Sequence, residues 1–178
     1  MTKKRKNKKS RRDKSRVLHL FKEINSDSVE KIITKLLELD RDRKRRLITI
    51  YINSPGGFTG DGWALVDVME KCRCPIKTIG IGEICSMALP ILLAGTQGRR
   101  YISKRAFIMI HPVFVGAKDY VSFAKSRILN AEQTEKIYDN YVLDRSNLPK
   151  KILKEAKTKE KWLTAEEAIK YGLADKEL

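Results

Sequence analysis

Leu47-Ile48-Thr49-Ile50-Tyr51-Ile52-Asn53-Ser54-Pro55-Gly56-Gly57 is the stretch that decides the fold of this 178-residue chain. Its first six residues are almost all aliphatic or β-branched, the mark of a strand covered on both faces in a parallel sheet. A proline and two glycines then turn the backbone sharply, and glycines at such a corner leave N–H groups aimed into open space. Outward from here, strand-like and helix-like segments alternate. On the N-terminal side, residues 17–21 predict a short strand. Ile32, Ile33, Leu36, Leu37 and Leu39 then recur at helical spacing behind the candidate caps Ser26-Asp27-Ser28. Residues 40–46 read as a charged connection.

On the C-terminal side, residues 60–72 predict a helix and residues 76–81 a strand. Residues 86–93 predict a helix closed by Gly95, with Pro90 tolerated in its first turn. Two short strands follow at 100–103 and 106–110, then a long amphipathic helix over 119–143 and helices near 149–157 and 164–171. The last opens on a capping box, Thr164 to Glu167, and Gly172 is placed to end it. The alternation predicts an α/β fold with a mainly parallel, right-handed βαβ core.

Net charge is +16, unevenly spread: residues 1–16 carry ten Lys/Arg against Asp13 alone. The organisation predicted is a basic disordered tail over 1–15 and one domain over 16–178. Such a tail is expected either to be a solvated appendage or to contact nucleic acid or an acidic protein surface. It has no interleaved aromatics, so base stacking is not expected of it. Three cysteines, Cys72, Cys74 and Cys85, are too few and too clustered for a disulfide framework, and read as reduced core residues. With two histidines there is no His-rich metal site, so no metal is expected. No apolar run approaches the roughly eighteen residues of a membrane span. The basic N-terminus lacks the apolar stretch of a secretory signal, so a cytoplasmic location is expected.

Three segments could carry chemistry, and each follows a buried strand, where α/β sheets place their sites. Gly56-Gly57 can form an anion cradle. It is not a phosphate loop, because no Gly-Lys-Ser/Thr follows. Ser86, 29 residues on, can present a hydroxyl beside exposed amides at a helix start, although a serine there is most often only a cap. His111, 25 residues further, ends an apolar strand within reach of a neighbouring strand end. A hydroxyl, an imidazole and a pair of amides at one sheet edge make a nucleophile, a base and an oxyanion hole. A carboxylate to orient the imidazole is needed, and Glu160, Asp119, Asp61 and Glu83 are all available. The residues themselves do not choose among them.

Tyr51–Gly57 as YINSPGG, Ser86-Met87, Met109-Ile110-His111, and the closing KWLTAEEA and YGLAD segments together resemble the ClpP family, the proteolytic subunit of the ATP-dependent Clp protease. The resemblance covers residues 16–178. It implies a ClpP/crotonase-like superhelical core with a protruding handle helix. It also implies a serine endopeptidase that cleaves unfolded polypeptides and needs no cofactor of its own. By carry-over Ser86 is the nucleophile, His111 the base and Glu160 the acid, where the family has Asp. Gly57 and Met87 supply the oxyanion-hole amides, and Gly56, Phe58, Val113 and Phe114 line the peptide groove. The partners implied are copies of the chain in stacked heptameric rings and an ATP-consuming AAA+ unfoldase. The apolar N-terminal loop through which relatives meet that unfoldase is here replaced by the polybasic stretch.

Other departures are Lys159 for an arginine of the inter-ring contacts, Pro112 for glutamine, and Ala88 for glycine. They motivate an alternative reading, a catalytically silent ring subunit of a mixed complex. An acyl-CoA enzyme on the related crotonase fold is a third, which would share the oxyanion logic without needing the Ser86 and His111 pair.

Overall fold

A computed structural model describes residues 15–114 and 120–178. The sequence readings that fall on residues 1–14 and 115–119, including most of the basic tail and Asp119, lie outside the described residues. Within the described residues the fold is mixed α/β: β1 Val17–Leu20, α1 Ser26–Asp40, β2 Ile48–Ser54, α2 Thr59–Lys71, β3 Ile76–Cys85, α3 Ala88–Leu93, β4 Arg100–Ile102, β5 Phe107–Ile110, α4 Val121–Asp144, α5 Lys150–Ala156, β6 Lys161–Thr164, α6 Ala165–Lys170 and β7 Lys176–Glu177.

All these strands join one sheet in the order β1-β2-β3-β4-β7, with β5 on the far half of β3 and β6 on β5. Every pairing is parallel except β5 with β6. The run in β2 is fully buried on one face only: Ile48, Ile50 and Ile52 are buried between β1 and β3, whereas Thr49 and Tyr51 on the opposite face are half-buried and Asn53 is exposed, so the strand is not covered on both faces as its composition predicts. Helix α1 packs Val29, Ile32, Leu36 and Leu39 inward. Its cap is Asn25, not the predicted Ser26-Asp27-Ser28. The Asn25 side chain accepts from the Ser28 N–H at 3.0 Å, and the Ser28 hydroxyl accepts from the Asn25 N–H at 3.1 Å.

Strand β3 departs most from expectation. It runs to Cys85 rather than stopping at Ile81. Its first half pairs with β4 through Thr78–Gly80 and its second half with β5 through Glu83–Cys85. The change of partner occurs at a bulge opposite Ile52/Ser54. Gly82 there has φ +62, and a Cβ on it would lie 2.7 Å from Asn53 Oδ1, the atom that accepts the Glu83 N–H. Only glycine fits that corner, so the segment that reads as a strand end is a kink within a longer strand.

Helix α4 has 24 residues, about 36 Å of rise. Among its described residues Val142 is buried, Tyr138 and Tyr141 pack against the core, and Phe123, Ile128, Leu129 and Ile137 are exposed. No helix among the described residues is long and apolar enough to cross a membrane.

Candidate active site

Three parallel strands deliver three corners to one edge of the sheet. β2 ends at Ser54, followed by Gly56-Gly57; β3 ends at Cys85, followed by Ser86; β5 ends at Ile110, followed by His111. The Gly56 corner is tied down from two sides. The Ser54 hydroxyl donates to the Lys22 carbonyl at 2.7 Å and accepts the Gly56 N–H at 3.2 Å. The Ile24 N–H donates to Gly56 O at 2.7 Å, and Phe58 N–H to Ile24 O at 2.8 Å. Gly56 has φ +91, and a Cβ there would lie 2.7 Å from Ser86 Cβ and 3.2 Å from the Met87 nitrogen. Gly57 has φ +146, and a Cβ would meet the Ile24 carbonyl at 2.2 Å. Both glycines are required by close backbone approach, and the approach of Gly56 is to the serine turn itself.

Ser86 sits in the left-handed region at φ +53, so it is not the helix start its position suggests. It is a strained corner between β3 and α3, and such strain persists only where its surroundings hold it. Its N–H donates to Met109 O at 2.7 Å, which fixes it against β5, and its carbonyl accepts the Tyr138 hydroxyl from α4 at 3.3 Å. Burial pushes that phenol well above its ordinary range. The amides of Gly57 and Met87 make no hydrogen bond among the described residues.

Ser86, Met87, His111, Gly56, Gly57, Phe58, Val113 and Phe114 all line one cavity of about 430 Å³. Eight of the nine residues that the resemblance carries over therefore line one cavity. The ninth, Glu160, does not line it. The antiparallel register pairs Ile110 with Lys161, so its next step sets His111 opposite Glu160. The carboxylate, however, is exposed and accepts the Trp162 indole N–H at 3.1 Å. His111 Nδ1 lies 2.6 Å from the Pro112 carbonyl. A carbonyl can only accept, so Nδ1 carries the proton and Nε2 is left as the basic nitrogen. The other acids nominated, Asp61 and Glu83, also lie outside the cavity lining.

Sequence reasoning missed several features of this site. One is the Pro112 carbonyl, which no side-chain pattern announces. The Trp162 indole was visible only as a ring two residues from Glu160. The third is a charged wall: Lys157 bridges Asp139 at 2.8 Å and Glu135 at 3.2 Å, with Glu23 nearby in the same lining. Glu135 Oε1 is also 3.5 Å from the Val113 N–H, joining α4 to the segment after His111. Cys85, directly before Ser86, is buried, and burial with the charges of Glu83 and Glu160 pushes its thiol up to about 11.

One group among the described residues has the composition of a metal site, Asp40 with Cys72 and Cys74. Its donors are spent within the fold. Asp40 accepts from Cys72 Sγ and from the Arg73 and Cys74 N–H groups, and pairs with the Arg73 guanidinium at 3.0 Å. Burial, and then Asp40 itself, pushes the Cys72 thiol up to about 12 and so away from the thiolate a metal would bind.

The family model described as "Clp protease" matches residues 2–177. Among curated proteins, the chain is similar to ATP-dependent Clp protease proteolytic subunit 2 of Bacillus licheniformis, 34% identical over 170 residues, covering 93% of this chain and 87% of that protein. It is similar to the ATP-dependent Clp protease proteolytic subunit of Dehalococcoides mccartyi, 32% identical over 162 residues, with 91% and 81% covered. It is similar to subunit 2 of Thermobifida fusca, 30% identical over 165 residues, with 93% and 81% covered. A corner serine, a basic imidazole and free amides at one sheet edge thus occur in a chain whose whole length follows one pattern, and this chain belongs to the Clp protease family.

Proposed function

We propose that the chain is a serine-type endopeptidase subunit that cleaves unfolded polypeptides from within a ring assembly of its own copies. The observation that carries this reading is the shared cavity of Ser86, His111 and the unpaired amides of Gly57 and Met87. The Ser86 hydroxyl attacks the scissile carbonyl. His111 Nε2 takes the hydroxyl proton and returns it to the leaving amine. Charge that develops on the carbonyl oxygen is met by the two amides, which need no reorganisation at that moment. Water then repeats the sequence on the acyl-serine. Gly56, Phe58, Val113 and Phe114 lie along the same lining and hold the substrate backbone and its side chains.

In this reading the Pro112 carbonyl fixes the imidazole tautomer. Glu160, opposite His111 in the strand register, stabilises the imidazolium by its charge. The mechanism calls on no metal or cofactor. ATP enters only through an AAA+ unfoldase, if the chain is fed by one. The exposed Phe123, Ile128, Leu129 and Ile137 on α4 support assembly, since apolar side chains on a projecting helix are covered when copies associate. The site works as a water-accessible soluble enzyme does, and cytoplasmic placement is part of the proposal.

The engagement of Glu160 by Trp162 favours a second reading, a silent ring subunit that completes a mixed barrel. Hydrolysis of a fluorogenic peptide by the purified protein alone, together with native mass, separates the two. Turnover abolished by His111→Ala supports the peptidase. Rings without turnover support the silent subunit.

A further inference from the structure

The peptide between Ser86 and Met87 joins two parts of the chemistry assigned above. Its carbonyl belongs to the residue that holds the hydroxyl, and its N–H is the Met87 amide. A trans peptide is planar, with the carbonyl and the N–H pointing opposite ways, so whatever holds the one aims the other. Two donors hold this carbonyl. The Leu89 N–H reaches it from within the same turn at 3.0 Å, and the Tyr138 hydroxyl reaches it from α4 at 3.3 Å. The first donor moves with the turn. The second ties the turn to a different element.

Tyr138 is itself held in place. Glu135, one turn before it, and Asp139, directly after it, are both bridged by Lys157, at 3.2 and 2.8 Å. Tyr141 packs edge-on against Trp63, with ring centroids 5.1 Å apart. Glu135 Oε1 meets the Val113 N–H at 3.5 Å, so one stretch of α4 reaches both the serine corner and the segment after His111. The Tyr138 ring packs against the core, and a phenylalanine would serve that purpose equally. The hydroxyl has Ser86 O as its one hydrogen-bond partner among the described residues. Burial keeps the proton on this phenol, so it acts as a donor and not as a base.

We infer that Tyr138 is a positioning residue for the oxyanion hole, its hydroxyl holding the Ser86–Met87 peptide so that the Met87 N–H points where negative charge develops on the substrate carbonyl. A peptide whose carbonyl accepts a hydrogen bond is polarised into a better donor at its N–H end. Charge on the oxyanion strengthens both bonds at once, and the ground-state carbonyl does so far less. The gain therefore falls on kcat and not on KM. This inference rests on the peptidase reading and adds to it a residue that acts through a peptide plane.

The test is Tyr138→Phe, which removes one oxygen and keeps the ring. Assembled wild-type and variant proteins are compared in hydrolysis of a fluorogenic peptide and in binding a peptide aldehyde and the matching peptide alcohol. The aldehyde adds to Ser86 Oγ and sets its oxygen in the oxyanion hole. The alcohol keeps the groove contacts and forms no adduct. Removing an oxyanion donor outright costs about 10²–10³-fold in kcat. Tyr138 aims a donor without being one, so the expected loss is that of one neutral hydrogen bond, about 3- to 10-fold in kcat, with KM changed less than about twofold. The aldehyde weakens by the same factor as kcat, the alcohol binds as before, and the pH midpoint set by His111 stays where it was. Turnover and aldehyde affinity unchanged in Tyr138→Phe overturn the inference and leave the peptidase standing. Equal weakening of aldehyde and alcohol also overturns it, because it assigns Tyr138 to packing alone. Wild-type protein that neither cleaves the peptide nor binds the aldehyde overturns the peptidase reading, and this inference falls with it.

Discussion

Replacing Glu160 by Gln separates two jobs that one carboxylate usually does together. Where a carboxylate fixes the imidazole tautomer, its amide replacement costs about 10⁴-fold in turnover, because the ring is left with the wrong nitrogen protonated. Here the Pro112 carbonyl lies 2.6 Å from His111 Nδ1 and fixes the tautomer without Glu160. What Glu160 adds is charge beside an imidazolium. His111 and Glu160 are the next residues beyond the last paired positions, Ile110 and Lys161, and residues opposite each other in an antiparallel pair lie about 5 Å apart at the backbone. With the carboxylate turned from Trp162 to a similar distance from the imidazolium, an effective dielectric of about 20 to 40 gives an attraction of about 1.7–3.3 kcal/mol. Exposure of Glu160 and screening reduce it to about 1.5–2 kcal/mol. That corresponds to a loss of about 10- to 30-fold in kcat/KM for Glu160→Gln. The assay is steady-state hydrolysis of a fluorogenic peptide by assembled wild-type and variant protein. A loss near 10⁴-fold would show that Glu160 displaces Pro112 in the working enzyme. A change within twofold would show that its charge contributes nothing. Either result refutes the division of labour between Pro112 and Glu160.

Three further outcomes follow from the same geometry. Left-handed backbone costs a non-glycine residue about 1–2 kcal/mol, partly offset by the greater unfolded-state freedom of glycine, so Ser86→Gly is more stable than Ser86→Ala by about 0.5–1 kcal/mol in denaturant melts, and equal stabilities would contradict a strained corner at this position. The thiol of Cys85 is pushed up to about 11 by burial, so alkylation at pH 8 is about 100-fold slower in the native protein than in urea, and comparable rates would contradict its burial. Burial of Asp175 works to raise its pKa but is outweighed by hydrogen bonds and charge from Arg100, which hold it below 3.8. Its stabilisation is therefore complete above that unfolded value and is lost as pH falls through the lower folded one. Asp175→Asn unpairs the buried Arg100 at a cost of about 3 kcal/mol at pH 6 and flattens the acid limb of the stability curve below the unfolded value of 3.8; an acid limb unchanged by the substitution counts against this linkage.

The fold was legible where a single period or a continuous run decided the matter. β2 declared itself by five aliphatic or β-branched residues around Tyr51, and α1 by its 3.6-residue stripe. The kink in β3 was hidden because Gly80 and Gly82 look like a strand end, and only the partner strand β5 and Asn53 show that the strand continues. β6 and β7 are short edge segments whose sequences carry no run or alternation long enough to mark them; pairing with β5 and β4 makes them strands. At the site, the glycine pair, Ser86 and His111 could be nominated by residue type and by position after strands. The acid could not be singled out from the residues alone, because four carboxylates satisfied the same local chemistry. Neither could the Pro112 carbonyl, since every residue has one. Only the register between β5 and β6 sets Glu160 opposite His111, and only side-chain positions show it turned to Trp162.

The most direct measurement of the central claim is covalent labelling by a fluorophosphonate, located by peptide mass spectrometry. Labelling of assembled wild-type protein on Ser86 alone, lost in Ser86→Ala and slowed at least 100-fold in His111→Ala, is the predicted result. No label on Ser86 in folded, assembled protein, or a rate indifferent to His111, would contradict it.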